Sequence, residues 1–347
     1  MEQIPKKFPA LIMAHKLGGR YEILRTLATG GFGQTYLAVD THLPTHPQCV
    51  IKQLKPQSND PAVIAIAQRL FNTEAETLDK LGSHHQIPEL FAHFEENQEF
   101  YLAQAYIEGH AIGKEIVNGK PLLESQVRDL VKDVLEVLAF VHQNNVIHRD
   151  IKPDNIMRRD RDGKIILIDF GIAKHISSQM MQQGYLPKLT VPIGTPGYTP
   201  PEQEKGNPTL ASDVYALGMI AIEALTGIAP DQLPKDQNGE IVWKNQAVVS
   251  PEFAKMIDKM VRYQVSDRYQ NAQEIFKELV ATIVLPQPTQ PTQISQAPSK
   301  SPPRFIVLVG SSLLIAIVAS FLIAFILTPR TPQVSPPAHR NQPRGPL

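Results

Sequence analysis

The run His148-Arg149-Asp150-Ile151-Lys152-Pro153-Asp154-Asn155 gathers two carboxylates, a lysine and an amide within one short loop. Fourteen residues after Asn155 a third carboxylate opens Asp169-Phe170-Gly171, at the end of the apolar run Ile165-Ile166-Leu167-Ile168. Mg²⁺ is a hard cation that takes carboxylate or amide oxygens together with phosphate oxygens. A hydroxyl nucleophile needs a nearby carboxylate to take its proton. The two segments supply both, so the chemistry they suit is phosphate transfer beside a bound metal.

The elements that must hold these residues come earlier in the chain. The stretch from Tyr21 to Leu27 reads as a strand. It runs into Ala28, Thr29, Gly30, Gly31, Phe32, Gly33, Gln34 and Thr35, then a second strand-like stretch. Glycines between two strands permit a tight turn and let backbone N–H groups approach an anion. Cys49-Val50-Ile51-Lys52 is an apolar strand closed by a lysine, which suits a phosphate contact better than packing. A helix is expected over 61–81, with Ile66, Leu70, Leu78 and Leu81 facing inward. Residues 100–107 read as a strand. A second helix is expected over 123–144, where Val127, Leu130, Val131, Val134, Leu138 and Val141 recur at three- and four-residue steps. His84 and His85 have no metal-ligand partners at suitable spacing and read as solvated loop residues.

In this order the segments resemble the protein kinase family, and bacterial serine/threonine kinases in particular through Gly-Gly-Phe-Gly-Gln-Thr-Tyr and Gly194-Thr195-Pro196-Gly197-Tyr198. The resemblance runs over about residues 21–281. It implies an α+β fold of two lobes, a small β-rich N-lobe and a larger helical C-lobe. It implies ATP as phosphate donor with Mg²⁺, or Mn²⁺ in its place, and protein serine or threonine hydroxyls as acceptors.

By the same resemblance Asp150 is the proton acceptor, and Lys152 reaches the γ-phosphate. Asn155 and Asp169 hold the metal. Lys52, fixed by Glu74, grips the α- and β-phosphates; Glu76 is the competing partner. The nucleotide lies among Leu27, Ala28, Thr29, Gly30, Gly31, Phe32, Gly33, Thr35 and Val50. It meets Gln104 at the back of the cleft and the backbone of Ala105, Tyr106 and Ile107. Ala28 stands where the family has its first glycine, Thr35 and Val50 where it has valine and alanine, and Pro200 where the closing motif has alanine. Asp213 is expected to bind the backbone of the catalytic loop, and Arg268 to pair with Glu202. Thr190, Ser177 and Ser178 are the expected phosphorylation sites, Thr190 first, with Arg149 gripping the phosphate. Thr195 is expected to contact Asp150 and Lys152. A non-catalytic scaffold of the same fold is the alternative. Such proteins lose the metal acid, the catalytic aspartate or the strand lysine, and here all three stand.

The bulk of the chain fits this reading. With 347 residues it has the length of about two domains. Its formal net charge of zero offers no basic excess for nucleic acid. One cysteine, Cys49, excludes an internal disulfide framework and fits a reducing compartment; in a strand-like run it is expected to be buried. Residues 1–20 show no secretory pattern and read as a poorly ordered lead-in. Residues 282–304 are a Pro/Gln/Thr/Ser-rich linker. Residues 305–327 carry no charge and would span roughly 34 Å as a helix, enough to cross a lipid bilayer. A short Pro/Arg-rich tail, 328–347, follows. These features place the chain in the cell membrane as a single-pass protein. Flanking basic residues mildly favour the opposite orientation, but the need for ATP puts the kinase domain in the cytoplasm. Ser312, Ala316, Ser320 and Ala324 recur every four residues and suggest a homodimer seam.

Overall fold

Strands β2 (Tyr21–Gly30) and β3 (Gly33–Asp40) form a hairpin whose tight end brings Gly30 opposite Gly33. Gly33 has φ +153, and a Cβ there would strike the Gln53 carbonyl, so only glycine fits. Strand β4 (Gln48–Leu54) pairs with β3, followed across the sheet by β6 (Glu99–Ala105) and β5 (Leu90–Glu96). Alternation along β4 sorts its side chains. Cys49 and Ile51 join Tyr21, Tyr101 and Ala103 in a buried cluster on one face. Val50 and Lys52 point to the other, where the site lies. The structure, a computed structural model, describes residues 16–30, 33–55, 60–171 and 195–284.

Helix α1 (Pro61–Leu81) starts where Asp60 accepts a 2.8 Å hydrogen bond from the Ala62 N–H, with proline in the first turn. Its buried stripe includes Ile66, Leu70, Phe71, Leu78 and Leu81 and packs on β5 and β6. Each such aliphatic side chain, fully buried, contributes about 1.5–3 kcal/mol.

The second lobe is built on helix α2 (Glu124–Gln143). All six of its expected inward residues are buried. The 148–155 loop leads into a small sheet of β7 (Gly109–Ala111), β8 (Ile156–Arg159) and β9 (Ile165–Leu167). Helix α3 (Pro201–Glu204) is a single turn. Helix α4 (Leu210–Thr226) is buried over almost its whole length and ends at Gly227, in the left-handed region at φ +68. Helices α5 (Pro251–Met260) and α6 (Ala272–Val284) complete the lobe, with α6 lying along α2.

Three expectations change. The lead-in does not extend to residue 20: Lys16–Leu17 forms strand β1 against Tyr21 and Glu22, because Gly18 and Gly19 adopt left-handed backbone and fold the chain back. The last helix runs to Val284, three residues beyond the expected boundary. His84 is not simply solvated, since its ring stacks on Phe140 at 4.6 Å.

The chain divides into Met1–Gln287 and Pro288–Leu347. The 305–327 segment and its flanks lie outside the described residues. Among the described residues, no helix is long and apolar enough to cross a membrane.

Candidate active site

A cleft of about 790 Å³ opens beneath the β2–β3 hairpin. Leu27, Ala28, Thr29, Gly33 and Thr35 line it above, with Val50 and Lys52. Gln104, Ala105, Tyr106 and Ile107 close one side, and Asp150, Lys152, Asn155 and Asp169 lie below. Gly30 ends β2; Gly31 and Phe32 lie outside the described residues. The cleft also holds residues that sequence reasoning missed: Met157, Ile168, Leu102 and Phe71. Met157 had a legible signal. It alternates with the fully buried Ile156 on β8, so it must face the other way.

The segment between the lobes leaves its backbone available. The Ala105 N–H donates to the Glu89 carbonyl at 2.9 Å, and the Asp160 N–H to the Glu108 carbonyl at 3.0 Å. Between them, among the described residues, the backbone groups of Tyr106 and Ile107 make no hydrogen bond. They can therefore serve the edge of a flat polar ring.

Lys52 Nζ lies 2.9 Å from Asp169 Oδ1. The lysine's charge is the main reason the Asp169 carboxyl is held below the usual carboxylate range. The expected Lys52–Glu74 pair is corrected here. No ion pair joins the two, and Lys52 is paired with Asp169 instead. Glu74 is on the buried stripe of α1, 8% exposed. Burial pushes its carboxyl well above the ordinary value against the opposing pull of Lys52, so its charged form is disfavoured there. Glu76, the competing partner, is exposed on the same helix.

Around Asp150 the contacts converge. Lys152 Nζ is 3.3 Å from Oδ2, and the Thr195 hydroxyl donates to Oδ1 at 3.4 Å. Asn155 Nδ2 donates to the Asp150 carbonyl at 2.9 Å, leaving its amide oxygen for another partner. That oxygen and the Asp169 carboxylate are hard donors of the kind Mg²⁺ takes. Among the described residues no group of three or more His, Cys, Asp or Glu side chains could cage a metal alone. A metal here would need phosphate oxygens to complete its shell, so the donor set fits a metal delivered with a nucleotide.

The loop is held from behind. Asp213 on α4 accepts the His148 N–H at 2.8 Å and the Arg149 N–H at 2.9 Å, and lies 3.2 Å from His142 Nε2. His142 Nδ1 accepts the Ala272 N–H at 3.0 Å, which makes Nε2 the protonated nitrogen that donates to Asp213. Glu202 on α3 receives Arg268 at 2.7 and 3.1 Å. The ring of His148, fully buried and shifted toward its neutral form by that burial, packs on Phe170 at 4.6 Å. Arg149 and Asp169 both occupy the left-handed region, at φ +66 and +68. Each such non-glycine residue costs about 1–3 kcal/mol, tolerated where the surroundings fix it. Thr190, Ser177 and Ser178 lie outside the described residues.

This assembly can bind a polyanion with its counter-ion and take a proton from a hydroxyl. A family model described as the protein kinase domain matches residues 21–280. Serine/threonine-protein kinase PknA of Nostoc sp. is 41% identical over 288 residues, 82% of this chain and 51% of that protein. Serine/threonine-protein kinase C of Synechocystis sp. is 45% identical over 259 residues, 74% of this chain and 48% of that protein. The chain thus spans about half the length of these relatives. The solved kinase domain of Mycobacterium tuberculosis PknI, 24% identical, matches with a TM-score of 0.59, covering 78% of this chain and 99% of that one; this is a likeness of fold.

Proposed function

The chain belongs to the protein kinase family over residues 21–280, and from that premise we propose that it transfers the γ-phosphoryl group of ATP to serine and threonine hydroxyls of proteins, its own included. The observation that carries this reading is the convergence of Lys52, Asp169, Asn155, Lys152 and Asp150 on one cleft. Asp150 takes the hydroxyl proton. Lys152, 3.3 Å from it, stays close enough to meet the phosphoryl group in flight. Lys52, now held by Asp169, would grip the α- and β-phosphates. Asp169 and Asn155 would hold Mg²⁺, which when bound would offset charge on the phosphates. Phosphoryl transfer asks mainly for such positioning and charge stabilisation.

Arg149 suits a regulatory role, because its guanidinium makes no hydrogen bond among the described residues. A phosphate on Thr190, Ser177 or Ser178 would give it one. The test is Mg²⁺-dependent autophosphorylation of the wild type, of Asp150→Asn and of Asp169→Asn. Both variants should lose ~10²- to 10⁴-fold in rate with unchanged circular dichroism. Near wild-type rates in either would sink the assignment, and mass spectrometry finding no phosphate within 172–194 would sink the regulatory part.

Residues 305–327 anchor the chain in the cell membrane with the kinase domain in the cytoplasm. The charge-free run of 23 residues supports this reading. The small residues Ser312, Ala316, Ser320 and Ala324 support pairing of two such helices. Replacing Ala316 and Ser320 together by leucine should lower crosslinking in membranes, and autophosphorylation with it. Unchanged crosslinking would leave a plain anchor.

A further inference from the structure

Gln203 is 5% exposed on α3, the turn of helix that closes the segment leading from Asp169. Its Nε2 donates to the Arg149 carbonyl at 2.7 Å. This hydrogen bond ties the closing helix to the backbone of the 148–155 loop. Further restraints on that backbone come from α4, through Asp213, from Ile168, whose N–H donates to the Asn155 carbonyl at 3.0 Å, and from within the loop, through the Asn155 amide.

The Arg149 residue is therefore gripped at both of its polar backbone atoms. Asp213 takes its N–H at 2.9 Å and Gln203 supplies its C=O. That grip acts on a residue in the left-handed region, whose relaxed conformation lies elsewhere. The next residue is Asp150. A peptide that turns at the Arg149 carbonyl swings the Asp150 Cα, and with it the carboxylate that meets the substrate hydroxyl. A misplacement of about 1 Å there costs ~10²-fold in rate.

The position demands this side chain. A glutamate would set an acceptor against an acceptor. A methionine fills the same volume but donates nothing. The space lined by Arg149, Asp150, Thr195, Gln203 and Asp213 is about 10 Å³, at the lower limit for a single water, so there is room for one water at most in place of the lost amide. Gln203 is also well founded from below. The neighbouring Glu202 is clamped by Arg268 and by the Ser212 hydroxyl at 2.7 Å.

We propose that Gln203 is a positioning residue for Asp150: it transmits the placement of the closing helix to the proton acceptor through the Arg149 carbonyl. The proposal rests on the reading of Asp150 as that acceptor. The experiment uses the full chain, with a serine- and threonine-containing basic protein as substrate, and compares wild type, Gln203→Met, Gln203→Glu, Asp150→Asn and the Asp150→Asn/Gln203→Met double variant. In the single Gln203 variants kcat should fall ~10- to 100-fold, with glutamate the worse. KM for ATP and the stoichiometry of ATP binding should stay within twofold. In the Asp150→Asn background, Gln203→Met should cost less than twofold, because a residue that acts through Asp150 has nothing left to position. A kcat within twofold of wild type in both single variants overturns the proposal. So does a full additional loss in the double variant, or a fall in ATP-binding sites that matches the fall in rate, since either marks structural support alone. A wild type that binds ATP but transfers no phosphate removes the underlying reading first, and is recognised before any variant is measured.

Discussion

Two faces of the catalytic loop differ in how their polar groups are matched. Behind the loop, Asp213 accepts three hydrogen bonds, His142 uses both ring nitrogens, and Arg268 meets Glu202 through two N–H groups. In front, Glu74 is buried without an ion pair among the described residues, and Lys52 and Asp169 hold one another. The Asp213, His142, Arg268 and Glu202 groups of the rear set are matched within the chain, as most buried polar groups are. The front set is matched only in part: Lys52 and Asp169 have each other, and the Glu74 carboxyl is held away from its charged form by burial. Rigidity and readiness are thus separated by a single strand of backbone.

The comparison can be broken from behind first. Arg268→Met leaves Glu202 without its cation and should cost about 3–5 kcal/mol of stability, the usual penalty for breaking a buried pair. Urea unfolding measures it, and a loss below ~1 kcal/mol would mean the rear set is not what holds the lobe. Lys52→Met acts on the front instead. It should lower phosphoryl transfer ~10²- to 10³-fold while leaving the urea midpoint near wild type. A large stability loss would show that the Lys52–Asp169 contact belongs to the fold after all.

The smallest effect sharpens the contrast. The Glu74 carboxyl titrates above its ordinary 4.5 in the folded chain because burial opposes its charge. Its contribution to stability is therefore full below about pH 4.5 and is lost as pH rises through the raised folded value. Glu74→Gln removes that dependence. The variant should gain stability relative to wild type on going from pH 5 to pH 8. An equal difference at both pH values would contradict the burial argument.

Much of this was legible in the chain. Helix α1 was bounded by Asp60-Pro61 and Gly82, residues whose cap chemistry is local. The Asp213 and Arg268 contacts could be expected from the resemblance. Other features depend on distances between elements and leave no local mark. Whether Lys52 meets Glu74 or Asp169 is set by how α1 lies against the sheet. Leu102 and Phe71 line the cleft without any reactive group to draw notice. Gln203 looks like an ordinary polar residue until its amide is seen against the Arg149 carbonyl. The paired glycines at 18 and 19 could have announced β1, but a strand of two residues has no periodicity to read.

The burial of Cys49 has a practical consequence. It is the one cysteine of this chain, fully enclosed in the N-lobe sheet, and its thiol is pushed up to about 11. Alkylating reagents attack the thiolate, so the folded chain should be silent to them at neutral pH. Labelling then proceeds only through molecules whose sheet has opened. A native reporter of local unfolding is thereby built into the lobe that roofs the cleft, one label per chain, with no engineered probe. Its rate with and without ATP would count how far the ligand tightens that sheet.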